Sequence, residues 1–176
     1  VGVYTLTYNV TDANGNVAVE VTRTVNVVDT TVPVITLTGE STVIIEFGST
    51  YTDAGATATD NYDGDLTDNI VLVSTVDETT VGVYTLTYNV TDANGNVAVE
   101  VTRTVNVVDT TVPVITLLGE ATVTIEVGST YTDAGATATD NYDGDLTDNI
   151  VLVSTVDETT VGVYTLTYNV TDANGN

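Results

Sequence analysis

Four aspartates fall within the nine residues Asp60-Asn61-Tyr62-Asp63-Gly64-Asp65-Leu66-Thr67-Asp68, and the same run stands again at Asp140–Asp148. Carboxylates at this density repel one another unless a cation, hydrogen bonds or open solvent relieves them. The chemistry they could do is to hold a hard cation, above all Ca²⁺, which takes about six to eight oxygens from carboxylates and carbonyls. The bland alternative is a solvated Asp-Gly turn. The run is not an EF-hand. Asn61, Asp63 and Asp65 alternate as its first ligands do, but Gly64 falls between the acids and no Glu occupies the twelfth place.

Most other chemistry is excluded by composition. The chain has no Cys, Met, Trp or His, which rules out a His/Cys zinc site, a Cys nucleophile and a Ser-His-Asp triad. It carries 25 Asp and Glu against two Arg and no Lys, for a net charge of −23. Nucleic acid and anionic membranes need basic patches, so neither is an expected partner. No apolar stretch is long enough for a membrane span. The acids cluster in loops without an aromatic sugar platform, which argues against glycoside hydrolysis. The chain is not expected to be an enzyme. The sequon at Asn9, Asn89 and Asn169 and the outward Thr-x-Thr rows read as ordinary polar strand faces.

The elements that must position the acids repeat every 80 residues. Of the 96 pairs separated by that interval, 92 are identical, which marks an array of small domains. DTTVP, at Asp29–Pro33 and Asp109–Pro113, holds both prolines of the chain and reads as the linker. The expected domains are 1–29, the C-terminal part of a repeat; 30–109, a complete repeat; and 110–176, a repeat without its last strand. Abundant Thr and Val favour strands. Tyr84, Leu86, Tyr88 and Val90 alternate along one face of Val83–Thr91, and Val97, Val99, Val101, Val105 and Val107 alternate likewise, with the Asn-Gly hairpin signal of ANGN between the two runs. Further strands are expected at Val34–Leu37, Thr42–Glu46, Gly55–Thr59 and Asn69–Ser74. The pattern is an all-β, antiparallel sandwich or barrel. Tyr84 in GVYTL fits the tyrosine corner of an Ig-type sandwich, with Leu86 in the place of the second Cys.

Together DTTVPVITL, VTIEVGSTYTDAGATATDNYDGDLT, VGVYTLTYNVTDANGN and VTRTVNVVD resemble the bacterial surface Ig-like tandem repeat family, a relative of the HYR module. The likeness covers the whole repeat. It implies tandem seven-stranded sandwiches, an extracellular or bacterial cell-surface location and a stalk or adhesion role without catalysis. The tandem arrangement is also similar to extender repeats of large bacterial adhesins, commonly stiffened by Ca²⁺ between domains, although cadherin-type linker motifs are absent.

Ig topology places the B–C and F–G loops at one pole, beside the N-terminal linker. Candidate ligands for Ca²⁺ at one such pole are therefore Asp29, Asp60, Asn61, Asp63, Asp65, Asp68, Asp92, Asn94 and Asn96. At the next they are Asp109, Asp140, Asn141, Asp143, Asp145, Asp148 and Asp172. The Asp77-Glu78 loop of the preceding repeat is expected to face the junction from the other side; sites within a domain are the variant reading. Arg103 is in phase with Val101 and Val105 and so nominally inward, where it must pair with a carboxylate such as Asp53 or turn out at a bulge. Its replacement by Met should cost about 1–3 kcal/mol if buried. The four differences between repeats are Thr38/Leu118, Ser41/Ala121, Ile44/Thr124 and Phe47/Val127. By strand phase Phe47 faces the core and Ile44 faces outward.

The expected function is an extracellular stalk or fibre segment whose partners are neighbouring repeats or other copies of itself, each repeat adding on the order of 35–40 Å. The alternative is a filament subunit joined head to tail by strand complementation, in which Val17–Val28 supplies the strand that Thr110–Asn176 lacks. Near-identical repeats also permit avidity for a ligand.

Overall fold

The computed structural model describes all residues, Val1–Asn176. β1 (Gly2–Tyr8) and β2 (Val21–Val27) form an antiparallel hairpin running from Gly2↔Val27 to Tyr8↔Val21. There follow β3 (Val34–Leu37), β4 (Thr42–Glu46), β5 (Ala56–Asp60), β6 (Gly64–Asp65), β7 (Val71–Ser74), β8 (Gly82–Asn89) and β9 (Val101–Val108). These seven strands make two sheets, β3-β5-β6 and β4-β9-β8-β7. This is the expected seven-stranded sandwich. In the last part of the chain β10 (Val114–Leu117), β11 (Ala136–Asp140) and β12 (Gly144–Asp145) repeat the first sheet, and β13 (Val151–Ser154) pairs with β14 (Leu166–Asn169). By compactness the chain divides into two units. One is Val1–Val43, Thr52–Val76 and Tyr84–Val105; the other is Ile44–Tyr51, Asp77–Val83 and Asn106–Asn176.

In the first unit Ile35 and Ala58 are buried from one sheet, and Leu86, Tyr88, Val90 and Val105 from the other, as the two-residue alternation predicts. The turn at Asp92–Asn96 is closed by Asn96 O, which accepts from Asp92 N at 3.1 Å, and Gly95 takes a φ of 90° there. Only Gly adopts that conformation cheaply. In the second unit the tyrosine corner is visible at Tyr164, whose hydroxyl donates to Thr160 O at 2.9 Å.

Three sequence expectations are corrected. Val97 and Val99 lie outward, 58% and 77% exposed, while Ala98 between them is buried. After the single bridge Thr91↔Val97 the Ala98 N–H donates to Val90 O, and the ladder resumes only at Val101, so the phase slips by one. Asn69 belongs to a 3-10 turn, Thr67–Asn69, that folds over the buried Leu66, and the strand begins at Val71. Phe47 is only half-buried and packs edge-on against Tyr142, ring centroids 4.8 Å apart, rather than into a core.

Residues 122–126 differ from β4 only at Thr124, yet they form no strand. β4 is a strand because β9 pairs with it, and residues 110–176 contain no counterpart of β9. Tertiary pairing, not local propensity, decides this element.

Candidate metal centre

The bend after β5, the DANGN hairpin and the linker bring four carboxylates to one point in the first unit. Asp29, Asp60, Asp63 and Asp92 each place an oxygen within 4.8 Å of the others. Asp60 Oδ1 accepts from the backbone N–H groups of Tyr62 and Asp63 at 2.7 and 3.1 Å, an Asx turn that fixes the side chain. Its Oδ2 is fully buried and has no hydrogen-bond donor. Asp63 Oδ2 accepts from Ala93 N at 3.2 Å and so ties the first loop to the hairpin.

The hairpin holds the other two acids. Asp92 Oδ1 accepts from Asn94 N and Asn96 N at 2.9 and 2.7 Å, and Oδ2 from Asn96 Nδ2 at 2.6 Å. Desolvation pushes the Asp92 carboxyl up, but the Asn96 side chain and the hairpin N–H groups outweigh it and hold the group below the usual carboxylate range. Asn94 Nδ2 donates to Asp29 Oδ2 at 3.0 Å, which draws the linker acid in.

The second unit repeats the arrangement with Asp109, Asp140, Asp143 and Asp172. Asp140 Oδ2 is again buried without a donor. Asp143 accepts from Ala173 N at 2.8 Å, and Asn174 Nδ2 donates to Asp109 Oδ2 at 2.9 Å. The chemistry of this set, carboxylate oxygens around one that is buried and has no donor, fits a hard cation better than a soft one.

Half of the sequence candidates stand elsewhere. Asp65 and Asp145 lie in the short strands β6 and β12, where their Oδ1 atoms accept from Thr67 N and Thr147 N. Asp68 and Asp148 sit in the 3-10 turns, and Asn61 and Asn141 are exposed. Asn94 and Asn96 surround the cluster as hydrogen-bond donors. Neither cluster includes Asp77 or Glu78. Glu78 Oε1 instead accepts from Tyr51 N at 2.6 Å, and Asp77 caps Thr79. In both clusters the carboxylates converge from a repeat and its own N-terminal linker.

A residue that sequence reasoning missed grips the linker in the second unit. Glu46 accepts from Thr110 N at 2.9 Å, Thr110 Oγ1 at 2.8 Å and Thr111 Oγ1 at 2.9 Å. The signal available was the recurrence of an acid at the last position of β4 and at the equivalent place in the next repeat, Glu46 and Glu126. The Thr110 backbone and side chain hold the Glu46 carboxyl below its ordinary 4.5. A depressed folded pKa means that the bond is complete above the unfolded value and is lost as pH falls through the lower folded one. The Thr110 amide resonance should therefore titrate with a midpoint below 4.5; a midpoint at or above 4.5 would show that the contact does not form in solution.

The buried guanidinium of Arg103 stands apart from the carboxylate cluster. It is 1% exposed and pairs with Asp53, which also accepts from the Tyr88 hydroxyl at 2.8 and 2.7 Å. Of the two expectations for Arg103, pairing with Asp53 holds and the outward bulge does not.

The family described as "Bacterial surface protein, Ig-like domain" matches residues 35–107 and 115–176. An uncharacterized 81.3 kDa protein of Acholeplasma phage L2 is 33% identical over 186 residues, which take in the whole chain and 25% of that protein. Hyalin of Strongylocentrotus purpuratus is 31% identical over 191 residues, covering the whole chain and 15% of that protein. The chain thus spans a quarter or less of these relatives. Among solved structures, a lipoprotein of Bacteroides thetaiotaomicron is 26% identical with a TM-score of 0.40, covering 49% of the chain and 45% of that protein. Matched over most of its length, repeat by repeat, the chain belongs to the bacterial surface Ig-like domain family.

Proposed function

We propose that the chain is a segment of an extracellular, cell-surface structural or adhesive array, non-catalytic, whose Ig-like repeats are stiffened by calcium. The working unit is Thr30–Asp109, and its partners are neighbouring repeats or other copies of the chain. The observation that carries the cation is the buried, donorless Oδ2 of Asp60 and of Asp140 inside clusters of four carboxylates. Asp29, Asp60, Asp63 and Asp92 hold one ion, and Asp109, Asp140, Asp143 and Asp172 the other. Ca²⁺ is favoured over Mg²⁺ because it accepts many oxygens in flexible geometry, whereas Mg²⁺ keeps its waters and demands an octahedron.

The stiffening follows from which residues are joined. Asp29 and Asp109 belong to the linkers, so an ion that draws them onto the loop acids restricts linker rotation. Membership of the surface Ig-like family supports the structural role. Equilibrium dialysis of the chelated chain against Ca²⁺ should give two ions per chain. Small-angle scattering should show a narrower distribution of intramolecular distances with Ca²⁺ than without. No bound calcium, or two bound ions and an unchanged distance distribution, would sink the cation or the stiffening respectively.

A further inference from the structure

Glu46 closes β4 and Phe47 follows it. Both belong to the same compact unit as the second carboxylate cluster, and each reaches a different arm of that cluster. The backbone seats the pair, since the Phe47 N–H donates to Val108 O at 2.7 Å, next to Asp109. Glu46 turns to the linker, where it accepts from Thr110 and Thr111. The Thr111 N–H donates in turn to Asp109 Oδ1 at 3.2 Å, which sets the linker acid.

Phe47 turns to the loop. Its ring meets that of Tyr142 edge-on, with centroids 4.8 Å apart and planes at 71°. Tyr142 stands between two of the four acids. Its N–H donates to Asp140 Oδ1 at 2.7 Å, and the N–H of Asp143 donates to the same oxygen at 3.1 Å. This turn aims Asp140, whose Oδ2 is the buried oxygen without a donor. A ring that restrains Tyr142 therefore restrains the turn. Ligands already held in position lose less freedom when an ion arrives, and the groups that orient them tune metal affinity.

The sequence points to the same residue. Phe47/Val127 is one of the four positions at which the repeats differ, whereas Glu46/Glu126, Thr30/Thr110 and Tyr62/Tyr142 are the same. The linker grip and the loop are constant, and the ring is the part that varies.

We propose that Phe47 is a positioning residue for the second cation site, and that the side chain at this place sets how tightly the site on the following linker holds calcium: Phe more tightly, Val less. This rests on the calcium reading of the clusters. It adds a source of difference between sites whose own carboxylates are the same. The effect is bounded by the contact that transmits it. An aromatic pair of ordinary strength can pass on a factor of about twofold to tenfold.

Ala93 and Ala173 report the two clusters separately, because their N–H groups donate to Asp63 and Asp143. The chelated full chain is titrated with Ca²⁺ while these two amide resonances are followed by NMR. Both should move in the parent. Phe47→Val changes no charge and installs the residue that the other repeat carries at this place. It should raise the dissociation constant read at Ala173 by about twofold to tenfold and leave that at Ala93 unchanged. Phe47→Tyr keeps the ring and should keep the affinity. Tyr142→Val should weaken the same site, and adding Phe47→Val to it should weaken the site no further. Coupling is reciprocal, so calcium must seat the ring by the same factor. Phe47 is the only Phe of the chain, so fluorophenylalanine labels this contact alone, and its resonance should follow the calcium dependence of Ala173. Two silent amides would overturn the calcium reading and this inference with it. Two responsive amides, with the affinity at Ala173 unchanged by Phe47→Val or with an equal loss at both, would overturn this inference alone.

Discussion

Replacing Arg103 with Met should lower the stability of the complete repeat by about 3–5 kcal/mol, the range for breaking a buried pair by removing one partner. Met fills much of the space of the aliphatic stem, so the loss is polar. Arg103 Nε donates to Glu40 O at 2.9 Å, and Nη2 donates to Gly55 O at 3.2 Å and to Thr38 O. Nη1 reaches Asp53 and the Tyr88 hydroxyl, the latter at 3.1 Å, and the guanidinium lies 5.8 Å from the Tyr88 ring centroid. Removing it takes the counter-charge from the part-buried Asp53 and a donor from each of three backbone carbonyls at once. A domain of this size has about 5–15 kcal/mol in all, so the loss takes a large share. Amide exchange at Val105 and Val107, which are buried in β9, reports the opening of this repeat. Arg23→Met is the internal control. It stands in the same sequence but on an exposed hairpin, and should stay within about 0.5 kcal/mol. A loss below about 1 kcal/mol at Arg103 would mean that the network is dispensable.

The same residue shows how far sequence reasoning reaches. Strand phase alone turned Arg103 inward, and the cost of a lone buried charge then required a carboxylate, with Asp53 a candidate. The carbonyls of Thr38, Glu40 and Gly55 were not legible, because a backbone acceptor has no side-chain signature. They are why the expected cost rises from about 1–3 kcal/mol for one hydrogen-bonded charge to the higher range. The alternation of Leu86, Tyr88 and Val90 was legible for the same reason as Arg103: a period of two over one unbroken strand. Val97 and Val99 were misread where the strand breaks, since a one-residue slip reverses every side chain after it.

The acid cluster divides in the same way. Asp60, Asp63, Asp65 and Asp68 look alike in sequence. Only the Asx turn at Asp60, the short strand β6 and the 3-10 turn after it separate the two that converge from the two that do not. Asp29 and Asp92 could be added to the pole from Ig topology because loop adjacency is a property of the fold. The grip of Glu46 on Thr110 joins residues 64 apart, and the recurrence of the acid at Glu126 marks the position without naming its partner.

Asp60→Asn should move stability in opposite directions with and without calcium. In the metal-free chain the four carboxylates repel one another across less than 4.8 Å, and Asp60 Oδ2 has lost its water without gaining a donor. Asn keeps Oδ1 for the Tyr62 and Asp63 N–H groups, removes one charge and turns the orphaned position into a donor facing three carboxylates. The Tm of the apo variant should therefore rise. Calcium at about a hundred times its dissociation constant adds about 2.7 kcal/mol to the parent, or roughly 10–20 °C for a domain of this size. The variant should forfeit most of that rise, because a hard dication prefers a carboxylate to an amide nitrogen. Asp140→Asn should do the same at the second cluster. Asp68→Asn, which removes an equal charge outside either cluster, should leave the calcium response intact. Calorimetry of chelated and calcium-loaded samples reads both signs at once. A fall in the apo Tm of Asp60→Asn would mark its carboxylate as a structural hydrogen-bond acceptor, and a preserved calcium response would place the cation elsewhere.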